Sequence, residues 1–302
     1  MDAGYSVAVY VIIDDTMGAL GHRSHRLAGV SDAEVLTVGV VAARYVGTHH
    51  ARTPAMLQGP GFLSRGLSAS RLNRRLHALA DWLALLLETL GELFARGQAA
   101  IADFVIDSMP VPVCRRVRAW RCRTVRGRVS CGYCAAKSET FFGWRLRLVC
   151  TTGGVPVAFS LLPAACHDLT PVHELTAGLP TGAWAYADKA YNSAPYEASI
   201  LADTGTRLVP AHKATMAPNS QAEQAGLRSF RSFRSAIETV NSQLESMGLR
   251  HLHARSDAGR ELKVHASLLA PQPLGEQRGA TRTRVPGLPR PRRLVREDDA
   301  TP

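Results

Sequence analysis

The chain has 302 residues, 46% of them hydrophobic, which is enough for one sizeable core or for one core and a small helical module. Its formal net charge is +11, and arginine greatly outnumbers lysine. A polyanion is therefore the first partner to consider, although a basic protein without such a partner can have the same net charge and arginine content. Six cysteines in this length indicate no disulfide framework, and neither a secretory signal nor a run of about 18 apolar residues is present, so we expect a cytoplasmic protein with no membrane partner.

Residues 1–97 are predicted to be mostly helical, because their apolar side chains recur with a helical period. Ser31 and Glu34 have the spacing of a capping box, in which serine caps the helix and glutamate bonds back to the serine backbone. The helix that follows, residues 35–45, is almost wholly apolar. We therefore expect it to be buried.

A second, longer helix is predicted over residues 71–94, with Ser70 as its cap. Arg74 and Arg75 lie in its first turns, at the positive end of the helix dipole, where a phosphate backbone is also favoured. Such a helix is typical of a DNA-binding module and equally of a dimerisation or packing cap. The sequence favours neither interpretation strongly.

Three carboxylates end or occupy well-defined elements in the rest of the chain. In the stretch of residues 101–112, an apolar, β-branched run ends in Asp107 and is followed by two prolines, which predicts a short buried strand broken after the carboxylate. A second apolar strand, residues 184–187, ends in Asp188, and a helical pattern over residues 233–244 carries Glu238. We expect the three carboxylates to converge on metal.

The densest basic segment follows Asp107 and contains an aromatic residue, Trp120. Arginines interleaved with an aromatic side chain suit a surface that follows a nucleic-acid backbone, although a solvated loop without a partner has the same composition. The neighbouring carboxylates favour nucleic acid. The arginines are Arg115, Arg116, Arg118, Arg121, Arg123, Arg126 and Arg128.

The cysteines near this segment leave a zinc site open as an alternative. Cys131 and Cys134 have the spacing of half a zinc knuckle, and Cys114 and Cys122 lie upstream. Seven residues separate the upstream pair, more than a knuckle uses. Free, partly buried thiols are therefore the favoured interpretation.

An antiparallel hairpin is predicted from residues 141–151 and 155–163, joined at a turn that contains Gly153 and Gly154. Asp168 follows the hairpin and precedes a short helical pattern. It could lie at the margin of the carboxylate site, but we expect it to cap that helix.

The last helix predicted carries Arg234, Glu238 and Asn241 on one face, because these residues are four and three positions apart. Apolar residues lie on its other side. Glu245 shares the face of Glu238 two turns later and is its main rival as third carboxylate. An ordinary solvated ion pair between Arg234 and Glu238 is the alternative without a catalytic role.

These motifs together resemble bacterial insertion-sequence transposases of the DDE type, in particular insertion sequence family 982. The resemblance covers roughly residues 5–270, and the order of the motifs is more specific than any one of them. They are residues 31–37, 70–75, 105–112, 132–137, 142–143, 154–156, 186–191 and 237–238.

The resemblance implies an α/β fold with an RNase H-like mixed sheet flanked by helices, preceded by a small all-α N-terminal domain. Residues 1–97 would then form the helical domain, 98–270 the catalytic domain and 271–302 a disordered tail rich in proline and arginine. It also implies that Asp107, Asp188 and Glu238 hold two Mg²⁺ or Mn²⁺ ions for cleavage of phosphodiester bonds.

The expected reaction is hydrolysis at the ends of the element, followed by attack of the freed 3′-hydroxyl on target DNA. Lys189 and Arg234 are expected to hold the scissile phosphate. The partners implied are double-stranded DNA, as terminal inverted repeats and as target, and a second copy of the chain in a homodimer.

The sequence departs from the family pattern at two places. Positions at which related transposases often carry tyrosine and lysine hold Arg231 and Glu245, and the tail after Ala270 has the composition of a frameshifted end. A decayed transposase that only binds DNA, and a host nuclease with the same fold, are therefore kept as alternatives.

Overall fold

The computed structural model describes residues 2–58, 61–97, 102–123, 125, 128–212 and 220–270. The tail predicted to be disordered, residues 271–302, lies outside the described residues, and so does Arg126 of the basic segment. None of the described helices is both long enough and apolar enough to cross a membrane.

The described part of residues 1–97 contains five helices, which confirms the helical prediction for this part of the chain. The capping box forms, because the Ser31 hydroxyl accepts a hydrogen bond from the Glu34 backbone at 3.1 Å and Glu34 accepts one from the Ser31 backbone at 2.6 Å. The helix that it starts is buried over most of its length, as expected. The helices are α1 (Ala3–Ala19), α2 (Asp32–Val46), α3 (Thr53–Gln58), α4 (Ala69–Ala78) and α5 (Ala80–Arg96).

The predicted helix over residues 71–94 is two helices, so that prediction was wrong in its continuity and in its cap. Ser68, not Ser70, caps α4, since its hydroxyl accepts from the Arg71 backbone at 3.4 Å. The chain leaves helical geometry at Leu79, with φ −106° and ψ 13°, and resumes it in α5. Leu76, Leu79 and Leu83 are all buried, so the helical spacing of apolar residues continues across the break between α4 and α5. The sequence pattern therefore gave no sign of the break.

Six strands form one mixed sheet in the order β2-β3-β1-β5-β6, and β4 pairs with β3 as well. β1 runs antiparallel to β3, and β3 to β4, whereas β1, β5 and β6 run parallel. The predicted hairpin is therefore present, and the α/β fold class with a mixed sheet after an all-α segment is confirmed. The strands are β1 (Asp103–Arg115), β2 (Cys131–Cys134), β3 (Glu139–Thr151), β4 (Pro156–Pro163), β5 (Trp184–Ala187) and β6 (Arg207–Pro210).

The first strand does not break at its prolines, contrary to the prediction. β1 continues for 13 residues and pairs with β3 through Pro110 and Pro112. β5 pairs only with residues 103–106 of β1, so no described strand pairs with this edge beyond Ile106. Proline lacks the backbone N–H that a central strand needs and is tolerated at such an unpaired edge.

Helices cover both faces of the sheet. One face, with Val105 and Tyr186, shares a core with the N-terminal helices and with α8 (Gln221–Ser246). The other face packs against α6 (Val172–Ala177) and α7 (Ala194–Thr204). The predicted apolar side of α8 is confirmed, because its residues Ile237, Val240 and Leu244 are buried there.

Two close approaches hold the helices against the sheet. α5 lies so close to β4 that a Cβ at Gly91 would overlap the carbonyl oxygen of Val157. Gly154, in the hairpin turn, has φ +80° and lies against α8, where a Cβ would come within 3.4 Å of Val240. A helix that was not predicted, α9 (Asp257–Leu269), starts at a Ser256 cap and packs on α2, α4 and α5.

Candidate active site

Asp107 and Asp188 lie side by side, at the point where the parallel pairing of β1 with β5 ends. Ile106 of β1 is opposite Ala187 of β5 in the last pair of the register, and each aspartate is the next residue. Parallel strands are about 4.8 Å apart. Side chains alternate along a strand, so both aspartates lie on the face that carries Val105 and Tyr186, the face that α8 covers. The parallel pairing therefore unites two carboxylates that are far apart in sequence.

The Asp107 carboxylate is held from two sides. One oxygen accepts from the Ser108 backbone at 2.8 Å, and the other accepts from the Asn241 side chain of α8 at 2.9 Å. Burial raises the pKa of Asp107 to about 6, and the Asp188 charge adds to this, while both hydrogen bonds and the Arg234 charge act against it. Burial therefore penalises the negative charge of Asp107, and the two hydrogen bonds and Arg234 offset only part of that penalty, which favours a bound cation.

Asp188 ends β5 and begins a single turn, Lys189–Tyr191. Its carboxylate accepts a hydrogen bond from the Lys189 backbone at 2.6 Å, so it caps this turn. Asp188 is partly buried, while the Lys189 side chain is exposed to solvent directly beside it. A lysine at this point adds positive charge at the edge of the carboxylate pair.

α8 carries the other predicted residues over the same strand ends. Arg234 donates from Nε to Glu238 at 2.8 Å, and the two side chains are 51% and 57% exposed. The hydrogen bond to Glu238 is the main cause that raises the pKa of Arg234, and the charges of Asp188, Glu238 and Asp107 add to it. The Arg234 guanidinium therefore lies in the field of all three carboxylates.

The structure brings together two of the three predicted carboxylates and holds the third by an ion pair. Among the described residues, no set of three or more His, Cys, Asp or Glu side chains is placed to hold a metal ion. Glu238 faces Arg234, which is the ion pair considered as the alternative. The rival residue, Glu245, instead contacts Lys137 at 2.5 Å. Glu238 and Glu245 lie three residues before and four residues after Asn241, the residue of α8 that touches Asp107.

Asn241 is the site residue to which the sequence assigned no role. Its position three residues after Glu238 placed it on the correct face, but an asparagine on a helix face gives no sign of its partner. The side chain is partly buried, and its Oδ1 atom has no hydrogen-bond partner among the described residues. Its Nδ2 atom reaches Asp107, 134 residues away in the chain.

Asp168 does not cap a helix, which corrects that prediction. The N-cap of α6 is Pro171, without a side-chain hydrogen bond. Asp168 instead accepts from Nε of Arg147 at 3.1 Å, and Arg147 also donates to the Cys166 carbonyl. Arg147 is fully buried in β3, so it requires a carboxylate, which no local pattern around Asp168 indicated.

Comparison with known proteins decides the family. The model of a family described as "Transposase DDE domain" matches residues 97–257, more than half of the chain. This chain belongs to the DDE transposase family. The matched range contains Asp107, Asp188, Glu238 and Asn241, and it therefore includes the whole candidate site of the transposase domain.

Other comparisons add little to this assignment. No curated protein matches the transposase. Two similar solved structures are the Mos1 transposase paired-end complex with left transposon end, at 9% identity and TM-score 0.25, and a pre-cleavage Mos1 transpososome, at 10% and 0.23. Each alignment covers 75% of this chain and 80% of the other.

The arginines of the transposase that were predicted to bind phosphate differ in whether their side chains are exposed or already bonded within the protein. Arg75 is engaged within the protein, since it contacts Asp32 at 2.5 Å and donates to the Val30 carbonyl at 2.7 Å. Arg74 is exposed. In the basic segment, the arginines whose side chains the structure describes are all exposed, and Arg121 stacks over the exposed Trp120 ring with its guanidinium carbon 4.2 Å from the ring centroid. The available residues here are Arg74, Arg115, Arg116, Arg118 and Arg121.

The cysteines of the transposase domain form no disulfide with one another. Cys114 and Cys131 both lie opposite Phe142, but on opposite sides of β3, which separates the two halves of the proposed knuckle. Burial raises the pKa of Cys114, and the neighbouring Cys122 thiol adds to this.

Proposed function

We propose that this protein is the transposase of a bacterial insertion sequence, of the kind grouped as family 982, which acts on DNA in the cytoplasm. It cuts the ends of its element by metal-dependent hydrolysis and joins the freed 3′-hydroxyl to target DNA. The observation that carries the proposal is the pair Asp107 and Asp188, which lie side by side where the parallel pairing of β1 with β5 ends, inside a DDE transposase domain.

The residues present fit divalent cations. Asp107 and Asp188 offer hard oxygen ligands, the type that Mg²⁺ and Mn²⁺ prefer over softer donors. Burial of Asp107 disfavours its bare negative charge, which a cation would offset. Glu238 would complete the set after release from Arg234. Two such ions, when bound, supply activation of the attacking hydroxyl and stabilisation of charge on the leaving oxygen.

The surrounding side chains have separate tasks in this proposal. Asn241 and the Ser108 backbone fix the orientation of the Asp107 carboxylate through its two hydrogen bonds. Arg234, once released from Glu238, and Lys189 bind the scissile phosphate at the edge of the carboxylates. The attacking oxygen is water in the first reaction and the 3′-hydroxyl in the second, so no covalent bond between protein and DNA is needed.

Exposed arginines outside the carboxylate site would hold the flanking double-stranded DNA, both terminal inverted repeats and target. They are the residues of the basic segment, Arg115, Arg116, Arg118 and Arg121, together with Arg74 of α4; Arg75 would first have to leave Asp32. The proposal includes a homodimer on paired element ends and a helical domain, residues 1–97, that binds those ends or forms the dimer. These points rest on the resemblance.

Cleavage of DNA that carries an element end, with Mg²⁺ or Mn²⁺, tests the proposal. We expect Asp107→Asn, Asp188→Asn and Glu238→Gln to abolish cleavage while DNA binding is largely kept. Glu92→Gln is the matched control, since it alters another exposed pair four residues apart on a helix, Arg96–Glu92, and should cleave normally. Full cleavage by Glu238→Gln together with loss in Glu245→Gln would transfer the third role to Glu245.

A DNA-binding relic is the second candidate, because Glu238 is engaged by Arg234 in this structure. The relic would bind element ends and give no product with either metal ion. A host nuclease would cleave without joining, so strand-transfer products with defined terminal repeats exclude it.

A further inference from the structure

A cluster of polar side chains lies on the face of the sheet opposite the two aspartates. Side chains alternate along a strand, so Ser108, the residue after Asp107, lies on that opposite face. In the register of β1 with β3, Arg147 is opposite Ser108, and Arg145, two residues away on β3, shares its face. Asp168 contacts both arginines. We call Ser108, Arg145, Arg147 and Asp168 the rear cluster.

We propose that Arg145 is a positioning residue for Asp107, which it reaches from the rear cluster through Ser108. Nη1 of Arg145 donates a hydrogen bond to the Ser108 hydroxyl at 3.3 Å. The Ser108 backbone N–H in turn donates to Oδ1 of Asp107 at 2.8 Å. Arg145 therefore restrains the side chain of the residue whose backbone orients the carboxylate. The inference rests on the proposed function, in which Asp107 holds a metal ion.

The Arg145 guanidinium is itself fixed by more than its bond to Ser108. Its Nη2 atom donates to the Tyr133 carbonyl at 2.8 Å, and its Nη1 atom lies 3.9 Å from Oδ2 of Asp168. A planar guanidinium directs its donors to several acceptors at once in a fixed geometry. The side chains of Arg145 and Asp168 are each only 18% exposed, so water competes little for these contacts.

Asp168 keeps its place in the rear cluster because of Arg147. Its Oδ1 atom accepts from Nε of Arg147 at 3.1 Å, and Arg147 is fully buried. A buried guanidinium requires a counter-charge, so this pair is needed with or without Arg145. Arg145 is not needed to neutralise Arg147, and its hydrogen bond to Ser108 therefore has a separate role. The sequence had left Asp168 between a helix cap and the margin of the carboxylate site, and it lies behind that site.

The rear cluster also borders the turn that follows Asp188. Tyr191 ends this turn, donates from its backbone N–H to the Asp188 carbonyl at 3.0 Å and is only 1% exposed. Burial raises the pKa of Tyr191, and the charges of Asp168 and Asp107 add to this, so its hydroxyl lies near carboxylates on both faces of the sheet. The segments that carry the two aspartates therefore meet at the rear cluster.

Binding of Mn²⁺ to the protein without DNA tests the inference, with free Mn²⁺ measured by electron paramagnetic resonance. Arg145→Met keeps an unbranched apolar side chain and removes the donors. We expect its dissociation constant for Mn²⁺ to be about tenfold higher, as for other residues that orient a metal ligand. Arg145→Lys keeps the charge but not the fixed set of donors and should recover part of the affinity. An unchanged dissociation constant in Arg145→Met would overturn the inference.

Arg207→Met is the matched control for the loss of one positive charge. Arg207 is exposed on β6 of the same sheet, and β1 and β5 separate it from β3. Its guanidinium lies over the Trp184 ring, 5.3 Å from the centroid. This variant should bind Mn²⁺ as the unaltered protein does. An equal loss of affinity in Arg207→Met and Arg145→Met would be an effect of net charge and would reject the role of Arg145.

A double-mutant cycle tests the path through Ser108. Ser108→Ala removes the hydroxyl and keeps the backbone N–H. Ser108→Ala/Arg145→Met should therefore bind Mn²⁺ no more weakly than Arg145→Met. Asn241→Ala/Arg145→Met should show the product of the two separate losses, because Asn241 bonds to the other oxygen of Asp107. Losses that multiply in the Ser108 cycle would contradict the path.

Two further measurements separate positioning from general loss of structure. Arg145→Met leaves the pair of Arg147 and Asp168 intact, so it should keep a cooperative thermal transition without metal. Saturating Mn²⁺ should then restore most of its cleavage rate on element-end DNA. A rate that stays low at saturating Mn²⁺ would assign Arg145 a structural role only and would refute the inference.

The inference and the proposed function fail in different ways. Unaltered protein that neither binds Mn²⁺ nor cleaves element-end DNA rejects the proposed function, and the inference with it. Binding and cleavage by the unaltered protein, together with the same Mn²⁺ affinity in Arg145→Met, reject only the inference and leave the transposase reaction intact.

Discussion

Replacement of Asn241 by alanine removes the hydrogen bond from α8 to the Asp107 carboxylate. That bond joins Nδ2 of Asn241 to Oδ2 of Asp107 at 2.9 Å. A hydrogen bond to a charged group contributes about 1.5–3 kcal/mol, and each 1.4 kcal/mol corresponds to a factor of ten. If Asp107 holds the metal, the variant should bind it about 10–100-fold more weakly, in line with other residues that orient a metal ligand.

The measurement is the rate of cleavage of element-end DNA as a function of Mn²⁺ concentration. We expect Asn241→Ala to need a higher concentration for half-maximal rate and to recover much of the rate at saturation, which general loss of structure would not produce. Ser242→Ala is the matched control, because Ser242 is the next residue of the same helix and is exposed. Wild-type metal dependence in Asn241→Ala would refute the assigned role.

Two predictions concern stability. Gly91→Ala should lower the free energy of unfolding by about 1–3 kcal/mol or more in a denaturant titration, since the new Cβ overlaps the Val157 carbonyl, whereas Gly18→Ala, with open space at its Cβ, should not destabilise α1. Equal stability of the two variants would contradict the close packing of α5 on β4. Burial lowers the pKa of His50 and of His265 from 6.5 to about 4, so the unfolded chain binds protons first as the pH falls. Stability should therefore be constant with respect to these groups above pH 6.5 and decrease by about 1.4 kcal/mol per pH unit for each histidine down to pH 4. Asp107 acts in the opposite direction, because its pKa is raised to about 6 and the folded chain binds that proton first, so it offsets part of this loss. A decrease in melting temperature from pH 7 to pH 5 that is as large in His50→Gln/His265→Gln as in the unaltered protein would contradict the prediction.

Local sequence signals were sufficient to predict a feature where it depends on residues close together in the chain. The capping box at Ser31 and the hairpin turn at Gly154 were predicted because each is formed within a few residues. The shared face of Arg234 and Glu238 followed from helical spacing alone, and their ion pair at 2.8 Å agrees with it. The two aspartates were located at the ends of their apolar runs for the same reason.

Features that depend on a distant neighbour were misjudged. β1 continues through Pro110 and Pro112 because β5 ends its pairing at Ile106 and leaves that edge open. Asp168 serves the buried Arg147 of β3, 21 residues away, and its own neighbours in sequence gave no reason to expect this. Each error came from treating a local preference as decisive where a contact between strands prevailed.

The sequence by itself determined which residues are available for the chemistry: two aspartates after apolar strands, a glutamate on a helix face and a surplus of arginine. Only the tertiary structure decided which of them meet. Parallel pairing of β1 with β5 unites Asp107 and Asp188, and the packing of α8 brings Asn241 to Asp107 while Arg234 holds Glu238. The physical reason is that periodicity and capping act over a few residues, whereas the partner of a side chain depends on how distant segments pack together.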